Sequence, residues 1–490
     1  MKRKYVIFLI LGLLLIAITV WQIPTAQKGL EVIKLPDTNP PVTIIAPSNT
    51  APASRPTVLI AHGFAGSSVL MRGFALTLAQ AGYTTVSWDF KGHGENPTPL
   101  SLSNESSGLL EDSEAALAQA VAAEAANPDQ VAILGHSMGS GVALEYGIVH
   151  PDTNATIAIS PVRQTVTPEL PRNLLLMAGS REQQFVANAK KLLETAGGEN
   201  NNYSAGSARK LVIIPNVEHI SILFSPLAHT AARAWLDATY GAQAGAINYT
   251  DRRILWFGMG IIGFILVSNA VVNTIQPTSN ESLGVKPRWL RLVALLAGSL
   301  VSSLLLWLAS LGGLQISQLL GLVVGGFLIA WFGTAGVINL LILRPKFSWP
   351  KGKEITKGLV VFAALWLGVG LIGNYVWLPW LLIPQRLILW IPAFIVLLPW
   401  FYAVGEASRP ARPAGQLGWW LYQVIVVLAG LFLALTLYPG LGFIFIILPL
   451  IPVILGLHML AISAKHGSWA FAIPGAMFTA WLLLAVFPLQ

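Results

Sequence analysis

The sequence predicts an α/β domain followed by an all-α polytopic membrane bundle. The α/β part is expected to be a mainly parallel sheet with helices on both faces and no cap. Three observations lead there. Short apolar runs alternate with helix-length segments between residues 55 and 240. Long apolar stretches dominate residues 253–490. And only 11% of the 490 residues are charged while 54% are hydrophobic, where soluble domains carry roughly 25% charge.

The alternating region supplies the first elements. Strands are expected at Thr57–Ala61, Thr84–Trp88, Val131–Leu134, Thr156–Ser160, Asn173–Met177 and Lys210–Ile214. Helices are expected at Leu70–Ala81, Leu109–Ala126, Gly139–His150, Gln183–Ala196 and Ala228–Tyr240. Strands that are apolar throughout, with helices between them, are buried on both faces of a parallel sheet. The domain is bounded at residues 55–245, and residues 23–54, with their prolines, serines and threonines, read as a linker with room for an opening strand.

Residues 1–22 form an expected transmembrane anchor. Lys2–Lys4 precede an apolar run to Trp21 that is long for a signal h-region, and no small-x-small cleavage site follows. Residues 253–490 are read as an eight-helix transmembrane domain. Its spans are placed at 253–275, 289–311, 319–343, 358–380, 387–405, 417–437, 441–463 and 469–488, each near the roughly 20 residues a bilayer requires. With the anchor the count is nine. If residue 1 is cytoplasmic, the cytoplasmic loops 276–288, 344–357, 406–416 and 464–468 carry nearly all the loop lysines and arginines, and the opposite loops only Arg386. This follows the positive-inside tendency, with Arg252 and Arg253 as the exception. Residues 55–245 then lie on the extracytoplasmic side of the cytoplasmic membrane, with the N-terminus cytoplasmic.

The formal net charge of +8 thus reads as a topology signal, and no nucleic-acid partner is expected. The absence of cysteine excludes disulfides, thiolate metal sites and cysteine nucleophiles. No cofactor and no metal are expected. Within the spans His458 is the one ionisable side chain well inside, with Asn269, Asn339, Asn374 and Gln423 as polar company; bonding between helices is their expected use. Gly321, Gly325 and Gly326 read as a packing face.

The chemistry is concentrated in Gly135-His-Ser-Met-Gly139. It sits between an apolar strand and a helix of small residues, as a nucleophile elbow requires: glycines two positions either side let the flanking backbones close together. Ser137 is the nucleophile. His219, just past the last strand, is the base, with His229 less suitably placed in the following helix. Glu182, in the turn after Asn173–Met177, is the acid that orients the imidazole; Glu218 adjoins His219 too closely to reach its ring. The N–H groups of Met138 and Phe64 are the oxyanion donors.

The ordered set His62-Gly63, Asp89-Phe-Lys-Gly-His-Gly94, Gly-His-Ser-Met-Gly, the Gly179–Glu182 turn and His219 resembles the α/β-hydrolase superfamily, in its serine-aminopeptidase and monoglyceride-lipase-like branch, over residues 55–240. The resemblance implies Ser137 as nucleophile, His219 as base and residue 182 as acid, where this chain carries glutamate. Lys91 and His93 are expected in a structural turn. Only about a dozen residues separate the strands at 156–160 and 173–177, too few for a helical cap.

The expected function is that of a membrane-anchored serine hydrolase cleaving an acyl ester, lipid-derived ones included, or a thioester or amide. Its partners are then the acyl substrate and membrane lipids. The alternative is a transporter or assembly protein whose hydrolase-like domain binds or gates.

Overall fold

The structure, a computed structural model, describes residues 2–101, 105–275, 286–409 and 413–490. It divides into two compact units. One holds residues 21–256 with 374–379 and 488–490; the other holds residues 1–20, 257–373 and 380–487.

The first unit is built on eight strands: β1 (Leu30–Leu35), β2 (Val42–Pro47), β3 (Thr57–Ala61), β4 (Thr84–Trp88), β5 (Val131–His136), β6 (Ala155–Ile159), β7 (Leu174–Gly179) and β8 (Arg209–Ile214). Their order is β1-β2-β4-β3-β5-β6-β7-β8. From β4 to β8 every pairing is parallel; β1 and β2 add antiparallel at one edge. Residues 23–54 are therefore not a linker: they hold two sheet strands. Prolines at 36, 40, 41 and 47 hide them in the sequence, because proline is at home at strand ends and edges. A first helix, α1, spans Arg3–Gln22.

The helices of this unit are α2 (Arg72–Gln80), α3 (Glu105–Ala122), α4 (Met138–Val149), α5 (Gln183–Thr195) and α6 (Pro226–Tyr240). Side chains alternate across a strand, so Val58 and Ile60 join one core with Phe74 of α2 and Trp235 of α6. Leu59 and Ala61 join another with Val142 and Tyr146 of α4. Both faces are thereby covered, which is why the strands read as unbroken apolar runs. Residues 160–173 connect β6 to β7 without a helix, so no cap is inserted there.

The second unit is helical: α7 (Arg253–Val272), α8 (Arg288–Leu311), α9 (Gly325–Leu343), α10 (Gly352–Leu365), α11 (Pro384–Ser408), α12 (Pro413–Leu437), α13 (Ile444–Ile447), α14 (Leu450–Ala461) and α15 (Ser468–Val486). Among the described residues eight helices, α1 included, are long and apolar enough to cross a membrane. This is a multi-pass membrane protein. Of the nine expected spans, the one at 441–463 is not among these eight. Residues 441–463 do not form one helix; they break into α13 and α14 around Pro449, whose missing N–H cannot continue the ladder. Two other boundaries move. Residues 316–324 are irregular, with Leu320 and Val324 at φ 58° and 64°, so α9 begins only at Gly325. Gly321 consequently lies outside any span, whereas an added Cβ at Gly325 would meet Phe487 at 2.7 Å. The span expected at 358–380 starts at Gly352 and runs through a π-turn at Trp366–Leu371. The loops expected at 276–288 and 406–416 fall partly outside the described residues, Arg412 among them.

Of the polar groups expected to bond between helices, Asn269 and His458 do, whereas both side-chain atoms of Asn339 and Nε2 of Gln423 are buried without a hydrogen-bond partner, and Asn374 lies in the segment that belongs to the first unit. Asn269 Nδ2 donates to Leu460 O at 3.0 Å, His458 Nε2 pairs with Phe471 O at 2.9 Å, and Ser303 Oγ donates to Gly430 O at 2.7 Å. Arg386 is buried at the start of α11, where it donates to Phe487 O at 2.7 Å.

Candidate active site

The site is assembled at the C-terminal ends of β5, β7 and β8, the edge where parallel α/β sheets hold their ligands. Ser137 sits between β5 and α4 with φ 54° and ψ −117°. A non-glycine residue in that region is strained, and the surroundings must hold it. They do: Ser137 N donates to Ile159 O at 2.9 Å, and Ser140 Oγ donates to Ser137 O at 2.5 Å. The turn is tight enough that a Cβ on Gly135 would lie 1.9 Å from Gly139 O, and one on Gly139 2.5 Å from the carbonyls of Ala61 and His62. Glycine is required at both positions for that reason.

The turn brings three expected residues into one hydrogen-bonded chain. His219 Nε2 lies 3.0 Å from Ser137 Oγ, and His219 Nδ1 lies 2.9 Å from Glu182 Oε2. The carboxylate can only accept, so Nδ1 carries the proton and Nε2 keeps a lone pair for the serine hydroxyl. The other oxygen of Glu182, Oε1, accepts from Ser160 Oγ at 2.7 Å and from Gly179 N at 2.5 Å. Glu182 is buried and makes no capping bond to α5.

The rivals are engaged elsewhere. Glu218 accepts from the N–H groups of Ile220 and Ser221 at 3.0 and 2.8 Å. His229 is buried in α6, pairs with Leu223 O at 2.9 Å and packs edge-on against Phe74. Lys91 and His93 hold the turn after β4: Lys91 Nζ lies 3.2 Å from Glu111, and His93 Nδ1 lies 2.9 Å from Lys91 O.

Of the expected oxyanion donors, Met138 opens α4 directly after Ser137, where the helix dipole also favours negative charge. The 62–64 backbone runs against the serine, since a Cβ on Gly63 would lie 3.1 Å from Ser137 Cβ. Gly63 O accepts from Gly66 N at 3.0 Å and pairs with His62 Nδ1 at 2.8 Å. In a trans peptide this leaves the Phe64 N–H on the opposite face. His62 is fixed as the Nδ1–H tautomer, because its Nε2 accepts from Phe90 N at 3.1 Å. Burial lowers its pKa, against the raising influence of Asp89.

Three participants were not singled out in the sequence. His136, the variable residue of the elbow, pairs through Nε2 with His219 O at 2.9 Å. Burial first, then the nearby His219, holds its pKa well below the ordinary imidazole value, so it is the neutral ring that donates to this carbonyl and holds the His219 backbone. Phe185 stacks on the His219 ring, 4.4 Å between centroids at 22°. Ser160, with φ 49°, donates from Oγ to Glu182 Oε1. The position of His136 inside the motif was the one available signal; Phe185 and Ser160 reach the site only through the fold.

Residues 52–205 match the family model for serine aminopeptidases, S33. The elbow, the parallel sheet and that match agree. This domain has the α/β-hydrolase fold. The chain is also similar to an uncharacterized protein of Mycobacterium tuberculosis (strains CDC 1551 / Oshkosh and ATCC 25618 / H37Rv), 25% identical over 187 residues, covering 35% of this chain and 65% of the relative. It thus spans just under two thirds of that relative's length. Among solved structures, a membrane phospholipase A described as a bacterial virulence factor is 16% identical with a TM-score of 0.36, covering 48% of this chain and 94% of the other. A proposed dienelactone hydrolase of Klebsiella pneumoniae is 14% identical with a TM-score of 0.34, covering 44% and 99%.

Proposed function

We propose that this protein is a membrane-bound serine hydrolase that cleaves acyl esters with Ser137, His219 and Glu182, on the extracytoplasmic side of the cytoplasmic membrane. The observation that carries the reading is the continuous chain Ser137 Oγ, His219 Nε2, His219 Nδ1, Glu182 Oε2, with links of 3.0 and 2.9 Å. Ser137 Oγ attacks the acyl carbonyl while His219 Nε2 takes its proton, and Glu182 stabilises the imidazolium. The carbonyl oxygen becomes negative against the N–H groups of Met138 and Phe64. The bond to the alcohol breaks as His219 returns the proton to the alcohol oxygen, leaving an acyl-Ser137. Water, deprotonated by His219, then releases the acid and restores the serine. Thioesters and amides are open to the same steps. The lack of a cap between β6 and β7 favours acyl chains presented from a lipid surface.

Membrane side is read from the chain itself. Residues 374–379 and 488–490 fold with the hydrolase domain: Arg72 Nη1 donates to Asn374 O at 3.0 Å, and Leu489 bonds to Gly92 and Leu100 at 2.8 Å. Counting crossings from α7, residues 374–379 share the domain's side after four, and residues 488–490 do so if α13 and α14 together cross once. Their 18 residues, 444–461, would extend about 27 Å as a helix, close to the roughly 30 Å of hydrocarbon. The loop lysines and arginines support an outside placement for that side.

The test is labelling with a fluorophosphonate probe, which requires an activated serine. Wild type is expected to label covalently, Ser137→Ala not at all and His219→Ala weakly. A folded wild type that stays unlabelled removes the enzyme reading and leaves a binding or gating module.

A further inference from the structure

Beside the catalytic histidine lies a cavity of about 500 Å³ that the proposed chemistry does not yet use. Its walls include Val162, Arg163, Gln184, Phe185, Asn188 and Lys191. One wall is the segment after β6, the other the first turns of α5. The walls are tied to each other and to the nucleophile. Asn188 Nδ2 donates to Pro161 O at 2.6 Å, and Val162 N donates to Ser140 Oγ at 3.1 Å, the same hydroxyl that donates to Ser137 O.

Two properties of this cavity point to a ligand. The first is charge. Arg163 and Lys191 both line it, no carboxylate does, and neither has an ion-pair partner among the described residues. Both are exposed, so their charge is presented to an incoming group and not spent inside the protein. The second is position. Phe185 belongs to the cavity wall and at the same time lies face to face with the His219 ring, 4.4 Å away. The imidazole is the group that hands a proton to the departing alcohol. Through Phe185 the cavity adjoins the group from which the departing alcohol takes its proton.

We infer that the Arg163–Lys191 cavity is a leaving-group subsite for an anionic alcohol, so that the enzyme prefers acyl esters whose alcohol carries a phosphate. This rests on the hydrolase reading above. The balance of the step is the ordinary one: the ester C–O bond breaks as the acyl-Ser137 bond forms, and the proton from Ser137 passes through His219 to the alcohol oxygen. The phosphate is not transferred; it is held by the guanidinium, which can bond two phosphate oxygens at once, and by the ammonium as a point charge. The phosphate could belong to a lipid in the bilayer or to a soluble acyl phosphoester, and the chemistry of recognition is the same.

The experiment uses the full chain reconstituted in ether-linked phosphatidylcholine vesicles, which offer no competing acyl ester. Hydrolysis of 1-oleoylglycerol 3-phosphate is compared with that of 1-oleoylglycerol, and the same pair is repeated with butyryl chains. The readout is the ratio of kcat/KM for phosphate over neutral ester. Wild type is expected to favour the phosphate ester by about tenfold or more, the order of one charge-assisted contact. Arg163→Gln together with Lys191→Gln is expected to bring the ratio to about one, and Arg163→Glu with Lys191→Glu to invert it. The wild-type preference should shrink in high salt, since the site is open. A preference with both chain lengths identifies the phosphate itself as the recognised feature; a preference with oleoyl alone identifies a lipid headgroup. Wild type that hydrolyses both esters equally, or a preference the variants do not move, overturns the subsite while leaving the hydrolase intact. Failure to hydrolyse any of the four esters, together with absent fluorophosphonate labelling, overturns the hydrolase reading instead.

Discussion

Glu182 shows how much a single carboxylate can be asked to do. Oε2 takes the His219 Nδ1–H, and Oε1 takes both Ser160 Oγ–H and Gly179 N–H. All three partners are donors, so the site suits an ionised carboxylate and not an amide. Glu182→Gln must aim its NH₂ at one set of donors or the other. Facing His219, it forces the proton onto Nε2, which can then no longer accept from Ser137. Turnover of an acyl ester is expected to fall by about 10³ to 10⁴, the cost of a wrong tautomer, while a circular dichroism melt shows a folded domain. A variant with wild-type turnover would remove Glu182 as the acid. At this scale the sequence was legible where a residue adjoins a strand end: Ser137, His219 and Glu182 each follow β5, β8 or β7 by a few positions. Ser160 and Phe185 were not, because each matters only through a partner brought close by folding, 22 and 34 positions away in the chain.

The strand–turn–helix from β5 to α4 depends on two close approaches that no side chain can enter. Gly139 passes over the end of β3, where a Cβ would meet backbone carbonyls at 2.5 Å; Gly63 passes Ser137, where the nearest atoms are at 3.0 to 3.2 Å. Backbone cannot yield as a side chain does. Gly139→Ala is expected to destabilise the domain by about 1 to 3 kcal/mol or more and to abolish fluorophosphonate labelling. Gly63→Ala is expected to cost less stability but still weaken labelling, because it crowds the nucleophile. Chemical denaturation and labelling of the same samples separate the two effects; equal behaviour of both variants would refute this account. Among the elements, the five strands β3 to β7 were legible because burial on both faces makes them continuously apolar, and β8, a half-exposed edge strand, was legible from its apolar run Leu211–Ile214. β1 was not: its half-exposed edge position leaves no such run, and a linker-like composition surrounds it. The segment at 441–463 misled for the opposite reason. Its composition is that of a span, and only local geometry at Pro449 divides it.

For the molecule as a whole, the proposed topology makes one sharp demand. The hydrolase domain and residues 488–490 must share a side, which the eight long helices alone would not allow. The chain has no cysteine, so single introduced cysteines report without background. An impermeant maleimide is expected to reach Ser204→Cys and Gln490→Cys in intact cells, and Ser348→Cys only after permeabilisation. Labelling of Ser204→Cys and Gln490→Cys from opposite sides would mean that α13 and α14 do not cross.

From sequence alone came the division into a sheet domain and a membrane bundle, and a short list of reactive side chains. Hydropathy and turn chemistry are local properties, and both are written residue by residue. Only the folded chain decided that β1 and β2 extend the sheet, that His136 anchors the backbone of the base, that Phe185 covers the imidazole, and that a cationic hollow opens next to it. Those relations join residues far apart along the chain, and distance in space is set by packing, which no linear pattern encodes.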